Sequence, residues 1–162
     1  MGVVTINIAV TPVGKSITNG VAFAYSGTPA GVVSADGKID LSKQYAAGTA
    51  VTLNFVITTP TVSFTAAPNI GTFPLSFFSS TNGAKDACWL ALYGTNPGVY
   101  NGSEFTFGPN ALGSGNLSLT ISDSNNDGNT YGYELWVFVT IAGTSGQKFN
   151  DDPRIINHST NV

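Results

Sequence analysis

Apolar and polar residues alternate along much of this chain, with the repeat of every second residue that is typical of a half-buried β-strand. The clearest alternation runs from Val4 to Val10 and from Val51 to Ile57, where Thr, Asn or Ala separates the apolar side chains. A helix would need apolar positions three and four residues apart, and no long stretch keeps that spacing without Gly, Pro or β-branched residues. The sequence therefore predicts an all-β protein.

Strands are predicted wherever this alternation, or a short apolar run, is bounded by turn residues. The predicted strands are Val4–Val10, Gly20–Tyr25, Val32–Val33, Lys38–Leu41, Val51–Ile57, Thr61–Thr65, Phe73–Phe78, Asp86–Tyr93, Ser103–Phe107, Leu117–Ile121 and Tyr133–Ile141, with an extended C-terminal segment over 147–162. Asp86–Tyr93 also fits a short buried helix. Many short strands with frequent turns are typical of an antiparallel β-sandwich, and we expect a jelly-roll-like double sheet in a single domain over residues 1–162.

Charged residues make up only 9% of the chain, against about 25% in an ordinary soluble domain. The net charge is -3 and no cluster of Lys or Arg is present, which argues against nucleic acid and anionic membranes as partners.

No run is long and apolar enough to predict a transmembrane helix, and the alternating N-terminus does not resemble a signal peptide, so the compartment stays unassigned.

Oxygen-bearing side chains recur at a regular spacing between Asp123 and Glu134, in the pattern D-x-[DN]-x-[DN]-G-x5-E. Asp123, Asn125 and Asp127 would be the early oxygen ligands of a Ca²⁺ ion, Gly128 the sharp turn and Glu134 the late ligand. The loop resembles the calcium loop of EF-hand proteins. The segments on both sides are predicted strands and not helices, so the resemblance is confined to the loop.

A hairpin turn is the alternative for the same loop, because Asp127-Gly128 between alternating apolar residues is a strong hairpin signal. A two-residue turn would place Glu134 opposite Ile121, on the apolar face, where an unpaired carboxylate is costly. A wider loop shifts the pairing by one residue, so that Leu135 faces Ile121 and Glu134 points to the other side. Both alternatives, a calcium site and a plain turn, remain open from the sequence.

Nothing in the sequence predicts a catalytic centre, and we expect no enzyme activity. A nucleophile needs a base beside it, and the single histidine, His158, lies in a polar tail, far in sequence from the single cysteine, Cys88, in an apolar run. A zinc site would need more Cys and His ligands. Glu104 lies beside Phe105 and Phe107, and strand alternation predicts that it faces solvent.

Two functions remain. The first is a non-catalytic structural module that associates with itself as a fibre, shell, array or inclusion; low charge and apolar residues on both faces of Tyr133–Ile141 favour it. The alternative is a lectin-like module that binds carbohydrate through the calcium loop. In that alternative, sugar rings would stack on the aromatic residues Tyr93, Tyr100 or Tyr131.

Overall fold

We describe a computed structural model of the chain. It describes residues 1–14, 17–65, 88–92, 104–141 and 145–158. The strands within these ranges are β1 (Gly2–Pro12), β2 (Val21–Thr28), β3 (Ile39–Asp40), β4 (Val51–Ile57), β5 (Val62–Phe64), β6 (Cys88–Leu92), β7 (Phe105–Leu112), β8 (Ser118–Asp123), β9 (Thr130–Val139), β10 (Gln147–Asp151) and β11 (Arg154–Ile156). Short 3-10 turns occur at Ile17–Asn19, Leu41–Lys43 and Ser114–Asn116.

The described residues form β-strands without a long helix, so the prediction of an all-β protein is confirmed. Within the predicted strand Asp86–Tyr93, the described residues Cys88–Leu92 form β6, so a strand and not a buried helix is present there. Phe73–Phe78 lies outside the described residues. Among the residues that are described, no helix has the length and apolar character needed to cross a membrane.

The first sheet has five strands in the order β2-β1-β4-β8-β7. Its inward side chains are those that the alternation predicts: Val4, Ile6, Ile8 and Val10 of β1 are fully buried, and every second residue of β4 is buried as well. Thr, Asn and Ala occupy the intervening positions of β1 and face outward. Alternation therefore fixes which face of each strand enters the core.

β1 and β4 run parallel, with Asn7 opposite Val56, and β3 and β11 are also parallel. Both sheets are thus mixed, and the prediction of purely antiparallel pairing is wrong. The long connection through β2 and β3 returns the chain to the start of β1, where the Gly2 N–H donates to the Ala50 carbonyl at 2.8 Å. Because alternation is the same in parallel and antiparallel strands, the sequence pattern could not distinguish the two.

The second sheet is built around β9. The first half of β9 lies between β6 and β11, and its second half lies between β5 and β10. β3 extends the sheet beyond β11. The predicted C-terminal segment 147–162 therefore contributes two paired strands within its described part, 147–158.

The inward faces of the two sheets share one hydrophobic core. Phe55 of the first sheet packs on Tyr133 of the second with ring centroids 5.4 Å apart, and Phe105 meets the edge of Tyr131 at 4.8 Å. The core therefore connects the sheets through aromatic contacts in the first half of β9.

β8 and β9 lie in different sheets, so the loop between them does not close a hairpin. β8 pairs with β4 and β7, whereas β9 pairs only within the second sheet. The prediction of a hairpin at Asp127-Gly128 is therefore wrong. The wider-loop alternative is also wrong in pairing Ile121 with Leu135, because the two strands meet across the core and not edge to edge. Its placement of Ile121 and Leu135 toward the core and of Glu134 on the other side is correct.

Candidate functional site

Asp123 and Asn125 lie together where the chain leaves the first sheet. Asp123 ends β8 on its inward face, and its Oδ1 accepts a hydrogen bond from the Asn125 N–H at 2.8 Å. The Asn125 side chain accepts from the His158 N–H at 2.8 Å and donates to the Ala46 carbonyl at 3.3 Å. These bonds attach the loop after β8 to the Ala46 turn and to the segment after β11.

Asp127 and Glu134 have other partners. The Asp127 carboxylate accepts from the Asn129 N–H at 2.9 Å and from the Tyr131 hydroxyl. Glu134 points from β9 toward β10 and accepts from Asn150 Nδ2 at 2.8 Å; burial raises its pKa above the ordinary range. Of the four predicted calcium ligands, the structure therefore brings together Asp123 and Asn125 only.

Within the described ranges, no group of three or more Asp, Glu, His or Cys side chains is arranged to hold a metal ion. The Asp127 carboxylate accepts from Asn129 in its own loop, and the Glu134 carboxylate accepts from Asn150 on the neighbouring strand β10. Calcium binding by the loop of Asp123, Asn125, Asp127 and Glu134 stays a prediction.

Glu104 is the residue whose position differs most from expectation. It is only 6% exposed, so its predicted orientation toward solvent is wrong. Glu104 directly precedes β7, where its backbone carbonyl accepts from the Ser124 N–H at 2.8 Å and its Oε1 accepts from the Asn126 N–H at 2.9 Å. These bonds turn the side chain inward, because strand alternation does not hold before the strand begins.

Asn157 joins Glu104 to Asp123. Its Nδ2 donates to Glu104 Oε1 at 2.8 Å and to Asp123 Oδ1 at 3.1 Å, and all three side chains are buried. The Asp123 and Glu104 carboxyl groups are therefore neighbours, since both accept from the same Asn157 nitrogen. Burial, followed by the interaction with Glu104, raises the pKa of Asp123 to about 8.

We call Glu104, Asp123 and Asn157 the buried carboxylate cluster. Sequence analysis singled out Asp123 through the calcium-loop pattern but missed the other two. The three residues lie in three distant segments, before β7, at the end of β8 and after β11, so no local spacing relates them.

A groove of about 560 Å³ opens between the edge strands β2 and β10. Aromatic side chains form much of its lining: Phe23, Tyr25, Trp136 and Phe149. The Phe23 and Tyr25 rings are stacked at 6.4 Å with an interplanar angle of 14°, and the Tyr25 hydroxyl donates to Asp151 at 2.7 Å. Aromatic faces thus lie beside polar groups in this groove.

Cys88 and His158 have separate surroundings. Cys88 is fully buried in β6 opposite Leu135, and burial raises the pKa of its thiol. His158 is exposed, with its ring Nδ1 3.1 Å from the Tyr45 carbonyl oxygen. Neither residue has the other among the partners described.

Comparison with known proteins identifies no relative: neither a protein-family model nor a curated protein matches this sequence.

Proposed function

We propose that the chain is a non-catalytic structural module that associates with copies of itself through the outer face of its first sheet. The absence of charge on that face is the observation that carries the proposal. The outward side chains of β2, β1, β4 and β8 form what we call the neutral face: Ala22, Ala24, Ser26, Thr28, Val3, Thr5, Asn7, Ala9, Thr11, Thr52, Asn54, Val56, Ser118, Thr120 and Ser122.

The residues of the neutral face stand in rows across the strands. Ser26, Asn7, Val56 and Ser118 form one row, and Thr28, Thr5, Asn54 and Thr120 form the next. These side chains carry small hydroxyl, amide and methyl groups and no charge. Two copies can therefore meet without desolvating a charge and without repulsion between like charges. A copy turned by a two-fold axis would present the same rows, as a symmetric dimer requires.

The neutral face is small for a stable interface. Four strands at roughly 4.8 Å spacing and about seven residues at roughly 3.3 Å each give about 450 Å² per copy. A standard complex buries about 800 Å² per partner, so we expect weak association that becomes strong only when many copies assemble.

The apolar residues on the outer face of β9 contribute little to this proposal. Trp136 is only 7% exposed within the single chain, so it does not need another subunit to cover it. Self-association is therefore assigned to the neutral face and not to β9.

Sedimentation equilibrium at protein concentrations up to about 1 mM tests the proposal, because millimolar affinity corresponds to only about −4 kcal/mol. Wild type should gain mass with concentration. Asn7→Lys, which introduces a charge in the middle of the neutral face, should remain monomeric. Gln147→Lys adds the same charge at an exposed position of β10 and should behave as wild type. A wild type that stays monomeric throughout, or an Asn7→Lys variant that still associates, contradicts the proposal.

We also propose that the two sheets form a β-sandwich, as in jelly-roll-like proteins. The aromatic contacts between the sheets, Phe55 with Tyr133 and Phe105 with Tyr131, support this architecture. The parallel pair β1 and β4 distinguishes it from a purely antiparallel jelly roll.

Carbohydrate binding is a second candidate function, favoured by the aromatic groove between β2 and β10. Aromatic rings pack on the C–H faces of sugars, and groups such as Asn150 and Asp151 can bond hydroxyls. This groove is not the site suggested by the sequence, since Tyr131 is buried and Tyr93 and Tyr100 lie outside the described residues.

Affinity electrophoresis in gels containing soluble neutral polysaccharides tests carbohydrate binding. Retardation of wild type should be lost in Phe23→Ala, whose ring lines the groove, and kept in Val13→Ala, an exposed position outside it. Equal mobility of wild type and Phe23→Ala on every polysaccharide would exclude this groove as the site.

A further inference from the structure

Two buried oxygen atoms of the carboxylate cluster lack a hydrogen-bond donor. Asp123 is 1% exposed and its Oδ2 has no donor, and Asn157 is 4% exposed and its Oδ1 has no donor. Buried acceptors of this kind are costly unless something binds them, so each needs a physical explanation.

We infer that Glu104, Asp123 and Asn157 form a binding site for a Ca²⁺ ion. The Asp123 and Glu104 carboxyls lie side by side, since both accept from the same Asn157 Nδ2, and neither group can donate when both are ionised. Their hydrogen-bond partners among the described residues are the Asn125 and Asn126 N–H groups and the Asn157 amide, all of them uncharged. A positive ion between the two carboxylates would balance their charge.

A shared proton is the competing explanation for the facing carboxyls. A proton would satisfy Asp123 Oδ2 but would leave Asn157 Oδ1 without a partner. A cation can take both oxygens when the Asn157 amide makes a half-turn, because its oxygen then replaces the Nδ2 that now donates to the two carboxylates. With the amide turned in this way, one ion binds both oxygens and replaces the two hydrogen bonds of Nδ2.

The ligand atoms that the three side chains offer determine which kind of ion fits. Glu104, Asp123 and Asn157 offer only carboxylate and amide oxygens, which are the ligands of hard cations such as Ca²⁺. The three side chains provide at most two oxygens from each carboxylate and one from the amide, so water must complete the six to eight ligands that Ca²⁺ takes. We therefore expect a weak site, with a dissociation constant on the order of 10⁻⁴–10⁻³ M.

This site differs from the predicted calcium loop, with which it shares Asp123. Asp127 and Glu134 have no part in it, because their carboxylates bond to Asn129, Tyr131 and Asn150. The site does not depend on self-association or on carbohydrate binding, so its failure would leave both proposed functions untouched.

The test measures Ca²⁺ binding to the full chain by calorimetry and by the melting temperature in CaCl2 or in EDTA. At tenfold excess over the dissociation constant, Ca²⁺ should raise the melting temperature of wild type by roughly 3–6 °C. Glu104→Gln should weaken binding by roughly tenfold or more. Asp127→Asn, the matched control, should bind as wild type does.

Wild type that binds no Ca²⁺ at about 5 mM, well above the expected range, overturns the site and leaves the shared proton as the explanation. Loss of binding in Asp127→Asn overturns it too, in favour of the loop. If Glu104→Gln does not fold, Asn157→Ser provides the second variant, since it removes the amide oxygen and keeps both carboxylates. Unchanged affinity in a folded variant of either position would also contradict the site.

Discussion

The fold changes the charge state of Asp123. Burial disfavours its ionised form, and the Glu104 carboxyl beside it acts in the same direction, so its pKa rises to about 8. In the unfolded chain the same carboxyl titrates near its ordinary value of 3.8. Between these two values the folded state without a metal binds more protons than the unfolded state.

Stability in EDTA should therefore fall as the pH rises from about 5 to about 8, by up to roughly 1.4 kcal/mol per pH unit. Below the unfolded pKa the group is protonated in both states and contributes no slope. Asp123→Asn cannot ionise, so its stability should change less with pH over the same range. Urea unfolding at about pH 5 and about pH 8 measures both proteins; an identical pH dependence in the two would contradict the assignment.

The Asp36-Gly37 turn shows how one element is fixed by contacts with remote residues. Gly37 has a φ of +84°, and a Cβ built there would lie 2.8 Å from Pro153 and 2.9 Å from the Tyr25 ring. The turn is thus packed between β2 and the segment joining β10 to β11. Val33 and Ile39 bridge in antiparallel fashion across the turn, as is typical of an Asp-Gly hairpin.

Gly37→Ala should lower the free energy of unfolding by roughly 2–4 kcal/mol, because positive φ and collision with Pro153 and Tyr25 act together. Gly31→Ala is the matched control, since Gly31 has the same φ but nothing within 4 Å of a Cβ. Gly31→Ala should lower the free energy of unfolding only by the cost of a positive φ in a residue with a Cβ, roughly 1 kcal/mol. Thermal unfolding compares the two; equal losses would mean that the packing contributes nothing.

β11 is a short strand that contributes a buried residue to the second sheet. Ile155 is fully buried and stands opposite Tyr131 on β9 and Ile39 on β3. Ile155→Ala should destabilise the protein by roughly 2–5 kcal/mol, whereas Ile156→Ala, at the neighbouring half-buried position, should cost less. Chemical denaturation measures the difference, and similar losses would contradict a structural role for β11 in the core.

At the scale of the whole molecule, the low charge predicts that self-association depends only weakly on salt concentration. Charged residues are 9% of the chain and the neutral face has none, so screening has little to act on during association. Raising NaCl from about 0.1 M to 1 M shortens the Debye length from about 10 Å to 3 Å. The association constant from sedimentation should change by less than roughly threefold; a tenfold loss would indicate a charged interface instead.

Strand positions and inward faces could be predicted for most of the described chain because alternation is a local property of the backbone. Val4–Val10 and Val51–Ile57 became the inner strands β1 and β4 with the predicted faces buried. The sequence did not determine their parallel pairing, because a strand carries the same alternation whatever the direction of its neighbour.

The candidate site was predicted only in part, for a related reason. The calcium-loop pattern found Asp123 because its signal lies in adjacent residues, whereas Glu104 and Asn157 reach Asp123 only after three segments meet. Pairing with strands distant in sequence also places β8 in the first sheet and β9 in the second, so a loop that crosses between the sheets stands where a hairpin was predicted. By itself the sequence determined where most of the described strands lie and which of their faces is buried. Only the tertiary structure decided which strands are neighbours and which distant carboxylates share a site, because such pairings depend on long-range packing that no local pattern specifies.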